Sequence, residues 1–240
     1  MKQKKRVAMV LAAGYGERLR PLTLVCPKPL LPVGGTPILH TILTQLKRHG
    51  FEKVVINTHH LGHMIKESVG DGSGFGLKVY YSEEEKILGA GGGIKAAQKL
   101  LGDGTFLVIN GDVIADAPLG DIWERHLKKG GAATLVVKDD PSIPGWGDIK
   151  IDDQGLVRQI LGRPKCDAPL KPRLFIGIQV IEPVFFSFVE HGVKASSTGD
   201  VYPAMLESGL IINSYEYTGK FLDIGTPERY RQACATFRSE

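Results

Sequence analysis

Two short stretches near the start of the chain hold the residues best suited to chemistry on phosphates. The first is Leu11-Ala12-Ala13-Gly14-Tyr15-Gly16-Glu17-Arg18-Leu19-Arg20-Pro21-Leu22-Thr23, directly after an apolar run at Val7–Leu11. Its small residues leave backbone N–H groups uncovered, so these can face phosphate oxygens. Arg18 adds a planar fork of donors suited to a triphosphate. The second is Pro27-Lys28-Pro29-Leu30-Leu31-Pro32-Val33, where flanking prolines stiffen the backbone that carries Lys28. A lysine fixed there could add a second positive charge at the same phosphates. Taken alone, each stretch has a plainer reading: a tight turn at Gly14-Tyr15-Gly16, and a solvated loop lysine. Neither matches two better-known phosphate motifs. Leu19 stands where a dinucleotide fingerprint wants its third glycine, and no Gly-Lys-Ser/Thr is present for a Walker loop.

Two aspartates complete the set. Asp112 follows the apolar run Thr105–Asn110, and Asp223 follows another apolar stretch and precedes a glycine turn. Mg²⁺ takes one or two carboxylates together with phosphate oxygens and water. Two aspartates far apart in sequence, each ending a strand, meet that demand; turn aspartates or helix caps are the plainer alternative. The trio His59, His60 and His63 lacks standard metal-ligand spacing, and His59 is read as a wall of the site. Trp123 reads as a core or lobe residue, Trp146 as packing or a pocket wall, and Glu83-Glu84-Glu85 as a solvated acidic loop.

The elements that must position these residues follow from periodicity. Strands are expected at 7–11, 53–57, 77–81 and 105–110, with helices at 37–49, 61–69 and 92–101. This alternation implies βαβ crossovers and an α/β, Rossmann-like, mostly parallel sheet flanked by helices. Ligands in such sheets bind outside the carboxyl ends of the strands. Residues 12–18, 58–60 and 110–113 should therefore share one edge. The second half is more mixed, with strands at 132–138, 147–151, 156–161, 174–181 and 211–217, and helices at 119–129, 183–189, 200–207 and 227–238. The 240 residues read as one domain, without an appended repeat domain.

Composition sets outer limits. A net charge of +4, with Lys2, Lys4, Lys5 and Arg6 crowded at the start, gives no nucleic-acid footprint. No apolar run is long enough for a membrane span. Three cysteines, Cys26, Cys166 and Cys234, show no CxxC spacing and suit a reducing cytoplasm.

The two phosphate motifs together resemble the signature of the sugar-1-phosphate nucleotidyltransferases, Gly-x-Gly-x-Arg-Leu-x-Pro-x-Thr followed by Pro-Lys-Pro. The matching positions are Gly14, Gly16, Arg18, Leu19, Pro21 and Thr23, then Pro27-Lys28-Pro29. The resemblance continues through Gly89-Ala90-Gly91-Gly92, Asn110-Gly111-Asp112 and Phe221-Leu222-Asp223-Ile224-Gly225-Thr226. Short bacterial mannose-1-phosphate guanylyltransferases and N-acetylmuramate-1-phosphate uridylyltransferases are similar in length and around Gly70–Gly76. The resemblance implies the nucleotide-diphospho-sugar transferase fold, with a small β-rich lobe over the sugar. It implies transfer of a nucleoside monophosphate from a nucleoside triphosphate to a sugar 1-phosphate, with Mg²⁺ at Asp112 and Asp223. Arg18 would bind the triphosphate and Lys28 the sugar phosphate or the α-phosphate. Nucleotide contacts would come from Leu11, Ala12, Ala13, Gly14, Gly16, Gly89 and Asp112. Sugar contacts would come from Asn110, Gly177, Arg163 and Asp200. The family's Glu-Lys-Pro segment is Gly162-Arg163-Pro164 here, so the acid is missing and arginine replaces lysine. Two other readings stand beside this one: a cytidylyltransferase for an alcohol phosphate or phosphocholine, and a silent nucleotide-sugar sensor. The base, the sugar and any homo-oligomer are left open.

Overall fold

A computed structural model describes residues 5–140 and 149–236. Trp146, Lys2 and Lys4 lie outside the described residues. The chain divides into two compact units, neither continuous in sequence: Met1–Ile87, Ile109–Asp116 and Gly219–Glu240 form one, Leu88–Val108 and Ala117–Thr218 the other. No helix among the described residues is long and apolar enough to cross a membrane.

The first unit opens with β1 (Arg6–Leu11), the short α1 (Leu22–Val25), and a two-residue ladder of β2 (Pro32–Val33) and β3 (Thr36–Pro37). Then come α2 (Ile38–Arg48), β4 (Phe51–Thr58), α3 (Gly62–Val69) and β5 (Lys78–Glu83). Strands β1, β4 and β5 are parallel neighbours, with Leu11 opposite Asn57 and Asn57 opposite Ser82. Helix α2 explains its own placement. Leu39, Ile42, Leu43 and Leu46 fall on one face at helical spacing, and all four are buried. Each such side chain contributes roughly 1.5–3 kcal/mol by leaving water. Gly50 follows the helix in the left-handed region, as a stop signal should.

The chain then enters the second unit with α4 (Gly89–Ala96) and α5 (Gln98–Leu101). One helix over 92–101 is the sequence expectation. The observed helix starts earlier because the N–H groups of Gly91 and Gly92 find a partner in the Ala195 carbonyl, at 2.9 and 3.2 Å. Ala97, at φ −80 and ψ 0, ends α4 and begins α5, so the expected single helix is divided there. Strand β6 (Phe106–Asn110) begins in the second unit and finishes in the first, where β7 (Val113–Ala115) follows.

The rest of the second unit holds α6 (Leu119–Lys129), β8 (Ala133–Lys138), β9 (Ile149–Ile151), β10 (Val157–Ile160), β11 (Lys171–Ile181), α7 (Tyr202–Glu207) and β12 (Ile212–Glu216). Here pairing is mixed. β11 runs antiparallel to β8 and β9, while β12 is parallel to β8. Pro183–Phe188 is a 3-10 segment rather than an α-helix, and a π-type turn, Ser197–Val201, precedes α7. Trp123 is buried, as expected, and Tyr202 is fully buried with its hydroxyl donating to Gln179 Oε1 at 2.6 Å. Burial pushes that phenol well above its ordinary pKa. The last elements, β13 (Phe221–Asp223) and α8 (Pro227–Thr236), return to the first unit. The whole is the expected mixed α/β architecture, with a mostly parallel sheet flanked by helices.

Candidate active site

Parallel pairing of β1 with β4 sends both strands out at one edge, so residues 12–18 and 58–60 emerge together. The Gly111 N–H donates to the Leu11 carbonyl at 2.8 Å and brings the turn after β6 to the same edge. Ala12 is buried, and its N–H donates to Asn57 Oδ1 at 2.8 Å. The Asn57 amide in turn donates to Glu84 Oε1 at 2.6 Å. Glu84 is 6% exposed, which corrects the solvated-loop reading for that residue; Glu83 and Glu85 are exposed. A buried carboxylate needs such a donor.

The two glycines of the loop differ. Gly16 has φ +64, and a Cβ there would lie 2.8 Å from Thr23 Cγ2. Thr23 Oγ1 also donates to the Gly16 carbonyl at 2.9 Å. Gly14 has no protein atom within 4 Å of a Cβ built on it. Packing and backbone conformation require glycine at 16, whereas among the described residues no such contact calls for it at 14.

The charged residues collect in the same unit. Arg18 lies on the 3-10 turn Glu17–Leu19, anchored by Leu19, which is 1% exposed. Lys28 starts the 3-10 turn Lys28–Leu30 between two buried prolines, and its Nζ donates to Asp112 Oδ2. Asp112 sits between β6 and β7. Strand β13 pairs antiparallel with β7, with Asp223 opposite Val113, so two aspartates distant in sequence become neighbours. The Asp223 side chain is 8% exposed. Its Oδ1 accepts from the Gly225 N–H at 2.8 Å, and its Oδ2 from Arg229 Nη1 at 2.5 Å. A Cβ on Gly225 would lie 3.0 Å from both Asp223 oxygens and 3.1 Å from Arg18 Nη2, so the guanidinium of Arg18 is close by. Arg18, Lys28, Asp112 and Asp223 are thus brought together. Arg229 joins them without having been singled out from the sequence. The available signal was its place in the first turn of the helix that follows Asp223, where its N–H meets Thr226 Oγ1 at 3.3 Å.

Asn110 ends β6 beside this group, whereas four expected contact residues belong to the second unit and are occupied locally. Gly89 has φ +71, and a Cβ there would come 2.6 Å from the Ala195 carbonyl oxygen. Gly177 is buried with φ +78, where the β11–β8 register shifts between Phe175 and Gln179. Arg163 makes a two-pronged pair with Glu207, at 3.1 and 3.0 Å. Asp200 accepts from the Ser196 N–H at 2.7 Å and so closes its own turn.

Two aspartates, one of them nearly buried, form an all-oxygen set of the kind Mg²⁺ accepts when phosphate oxygens and water complete it. Among the described residues, no group of three or more His, Cys, Asp or Glu side chains is arranged to hold a metal.

The nucleotidyl transferase family model matches residues 7–240. A Synechocystis UTP–glucose-1-phosphate uridylyltransferase is 32% identical over 94% of this chain and 62% of its own length. A Mycobacterium tuberculosis mannose-1-phosphate guanylyltransferase is 33% identical over 95% of this chain and 63% of its own length. The chain thus spans less than two thirds of these two relatives. An N-acetylmuramate alpha-1-phosphate uridylyltransferase of Neisseria meningitidis is 36% identical over 95% of this chain and 96% of its own length. Among solved structures, HddC from Yersinia pseudotuberculosis, complexed with GMP-PN, has a TM-score of 0.80 at 24% identity, covering 97% of this chain and 99% of its own. A UDP-glucose pyrophosphorylase complexed with UDP-glucose scores 0.81 at 20% identity, covering 98% and 99%. At these identities the structures speak for the fold alone.

Proposed function

The chain belongs to the nucleotidyl transferase family, and on that premise we propose that it transfers a nucleoside monophosphate from a nucleoside triphosphate to a sugar 1-phosphate, releasing pyrophosphate. The observation that carries this reading is the convergence of Arg18, Lys28, Asp112 and Asp223 beside an open Gly14 at one strand edge. The relatives act on a nucleoside triphosphate and a sugar 1-phosphate, and the family generally uses a divalent metal.

The reaction is a single displacement at the α-phosphorus. A phosphate oxygen of the sugar 1-phosphate forms the new P–O bond, and the bond to pyrophosphate breaks. That oxygen is already anionic at neutral pH, so no general base is required. The obstacle is bringing two anions together, which positioning and charge neutralisation overcome. Backbone at Leu11, Ala12, Ala13, Gly14 and Gly16 receives the nucleotide, with Gly14 bare because its ligand approaches there. Arg18 neutralises the leaving pyrophosphate. Lys28 moves from Asp112 to a phosphate oxygen, which keeps its charge compensated throughout. Asp112 and Asp223 would hold Mg²⁺, which would offset charge on the phosphates. Arg229 fixes the Asp223 carboxylate. Sugar contacts are assigned to Asn110, Gly177, Arg163 and Asp200, and the Gly89 backbone to the base, its missing side chain being explained by packing against Ala195. We read the chain as one nucleotidyltransferase domain, because neither compact unit is continuous in sequence. Three free cysteines fit a reducing compartment, the cytoplasm.

The test is pyrophosphate release with Mg²⁺, crossing UTP, GTP, CTP, ATP and dTTP with the 1-phosphates of mannose, glucose, N-acetylglucosamine and N-acetylmuramate. Strong release in one combination establishes the reaction and names the pair. Nucleotide binding without release in any combination would favour a sensor instead.

A further inference from the structure

The glycine loop has little stiffness of its own, since glycine backbone is the least restrained. Something else must hold it in one shape. Tyr15, the side chain between Gly14 and Gly16, is 42% exposed, yet its hydroxyl lies 3.1 Å from His59 Nε2. The two rings meet edge to face at a centroid separation of 5.3 Å, and the His60 ring lies tilted with its centroid 5.5 Å from that of Tyr15. His59 is itself held: its Nδ1 is 2.7 Å from the Glu84 carbonyl oxygen. A carbonyl only accepts, so Nδ1 carries the proton, and in the neutral ring Nε2 accepts from the Tyr15 hydroxyl. His60 Nε2 donates to the Thr23 carbonyl at 2.8 Å, at the far end of the loop.

We propose that His59 is a positioning residue, which clamps the nucleotide loop through the Tyr15 hydroxyl and so sets the affinity for the triphosphate. His59 is then more than a passive wall of the site. The clamp rests on the reading of residues 11–16 as the nucleotide cradle. Its contribution is to the order of the free loop: a loop already held in its receiving shape loses less freedom when the ligand arrives. Because His59 acts before chemistry begins, its loss should fall on binding rather than turnover.

Amide hydrogen exchange over residues 12–16 in the full chain, and calorimetry with Mg·UTP and Mg·GTP, test this directly. His59→Ala should speed loop exchange and raise the triphosphate Kd, each by about tenfold, while kcat changes by less than about twofold. Tyr15→Phe removes only the hydroxyl of an exposed residue and should reproduce part of both effects, about threefold. His59→Gln retains one donor and one acceptor and should recover most of the loss. Unchanged loop exchange and Kd in Tyr15→Phe and in a folded His59→Ala would overturn the clamp; if His59→Ala unfolds, Tyr15→Phe alone decides. Gly14→Ala separates the two readings. Triphosphate binding weakened in Gly14→Ala but kept in the clamp variants refutes only the clamp. Binding kept in Gly14→Ala, with loop exchange faster in the clamp variants, refutes the cradle and leaves a clamped loop without this role.

Discussion

Two glycine-rich segments, 14–16 and 89–92, look alike in sequence and differ in physical origin. In the second, the space beside Gly89, Gly91 and Gly92 is filled from within. A Cβ at Gly89 meets the Ala195 oxygen at 2.6 Å, one at Gly91 meets Val201 Cγ2 at 3.0 Å, and one at Gly92 meets the Val193 oxygen at 2.6 Å. These glycines let the start of α4 lie directly on the backbone of residues 193–195, whose Ala195 carbonyl accepts two of its N–H groups. In the first segment only Gly16 is filled in this way, while Gly14 faces open space. A glycine with a structural reason and one without are the same letter in a sequence. The surroundings separate packing from ligand approach.

That contrast can be broken or sharpened by measurement. The largest effect is expected from the charges beside the open glycine. Arg18→Ala or Lys28→Ala should lower turnover by on the order of 10²–10³, as when other preorganised charge donors are removed. Near wild-type turnover in either would take that residue out of the reaction. Next comes stability in the closed segment. Gly92→Ala forces a methyl into backbone and should cost about 2–3 kcal/mol in chemical denaturation, with or without ligand. A neutral result would mean that residues 193–195 move aside freely. Gly14→Ala should do the reverse: stability within about 0.5 kcal/mol of wild type, but a KM for the triphosphate raised about tenfold. An unchanged KM would remove the distinction drawn between the segments. The smallest effect is expected at Arg163→Ala. Its pair with Glu207 is half exposed on both sides and should contribute no more than about 1 kcal/mol to stability. A rise in the KM for the sugar phosphate would give Arg163 a substrate role beyond that pair.

Much of this was legible in the chain itself. The apolar runs that became β1, β4 and β6 were plain, because a strand buried on both faces must be apolar throughout; β5, at the sheet edge, was legible instead from its alternation, with Val79 and Ser82 buried and Lys78, Tyr80 and Glu83 exposed. Helix α2 was legible from Ile38, Ile42, Leu43 and Leu46, whose spacing suits one face only. The pairing of Gly14-x-Gly16-x-Arg18 with Pro27-Lys28-Pro29 marked the candidate site for the same reason: local backbone chemistry is written locally. The exact start of α4 was hidden, since its N–H partners come from Ala195, about a hundred residues on. Glu84 could not be told from Glu83 and Glu85, because one pairing with Asn57 decides which of three identical residues is buried.

The amino-acid order alone carries the α/β class, the alternation of strands and helices, and the glycine–arginine and proline–lysine motifs. These depend on periodicity and on residues close together in the chain. Only the tertiary structure decided that Asp223 returns beside Asp112, through the antiparallel β7–β13 ladder, and that Arg229 steadies it. It also decided which glycine stands open and which histidine holds the loop. Each of these depends on contacts between residues far apart in sequence, and no local pattern encodes which distant atoms will fill a given space.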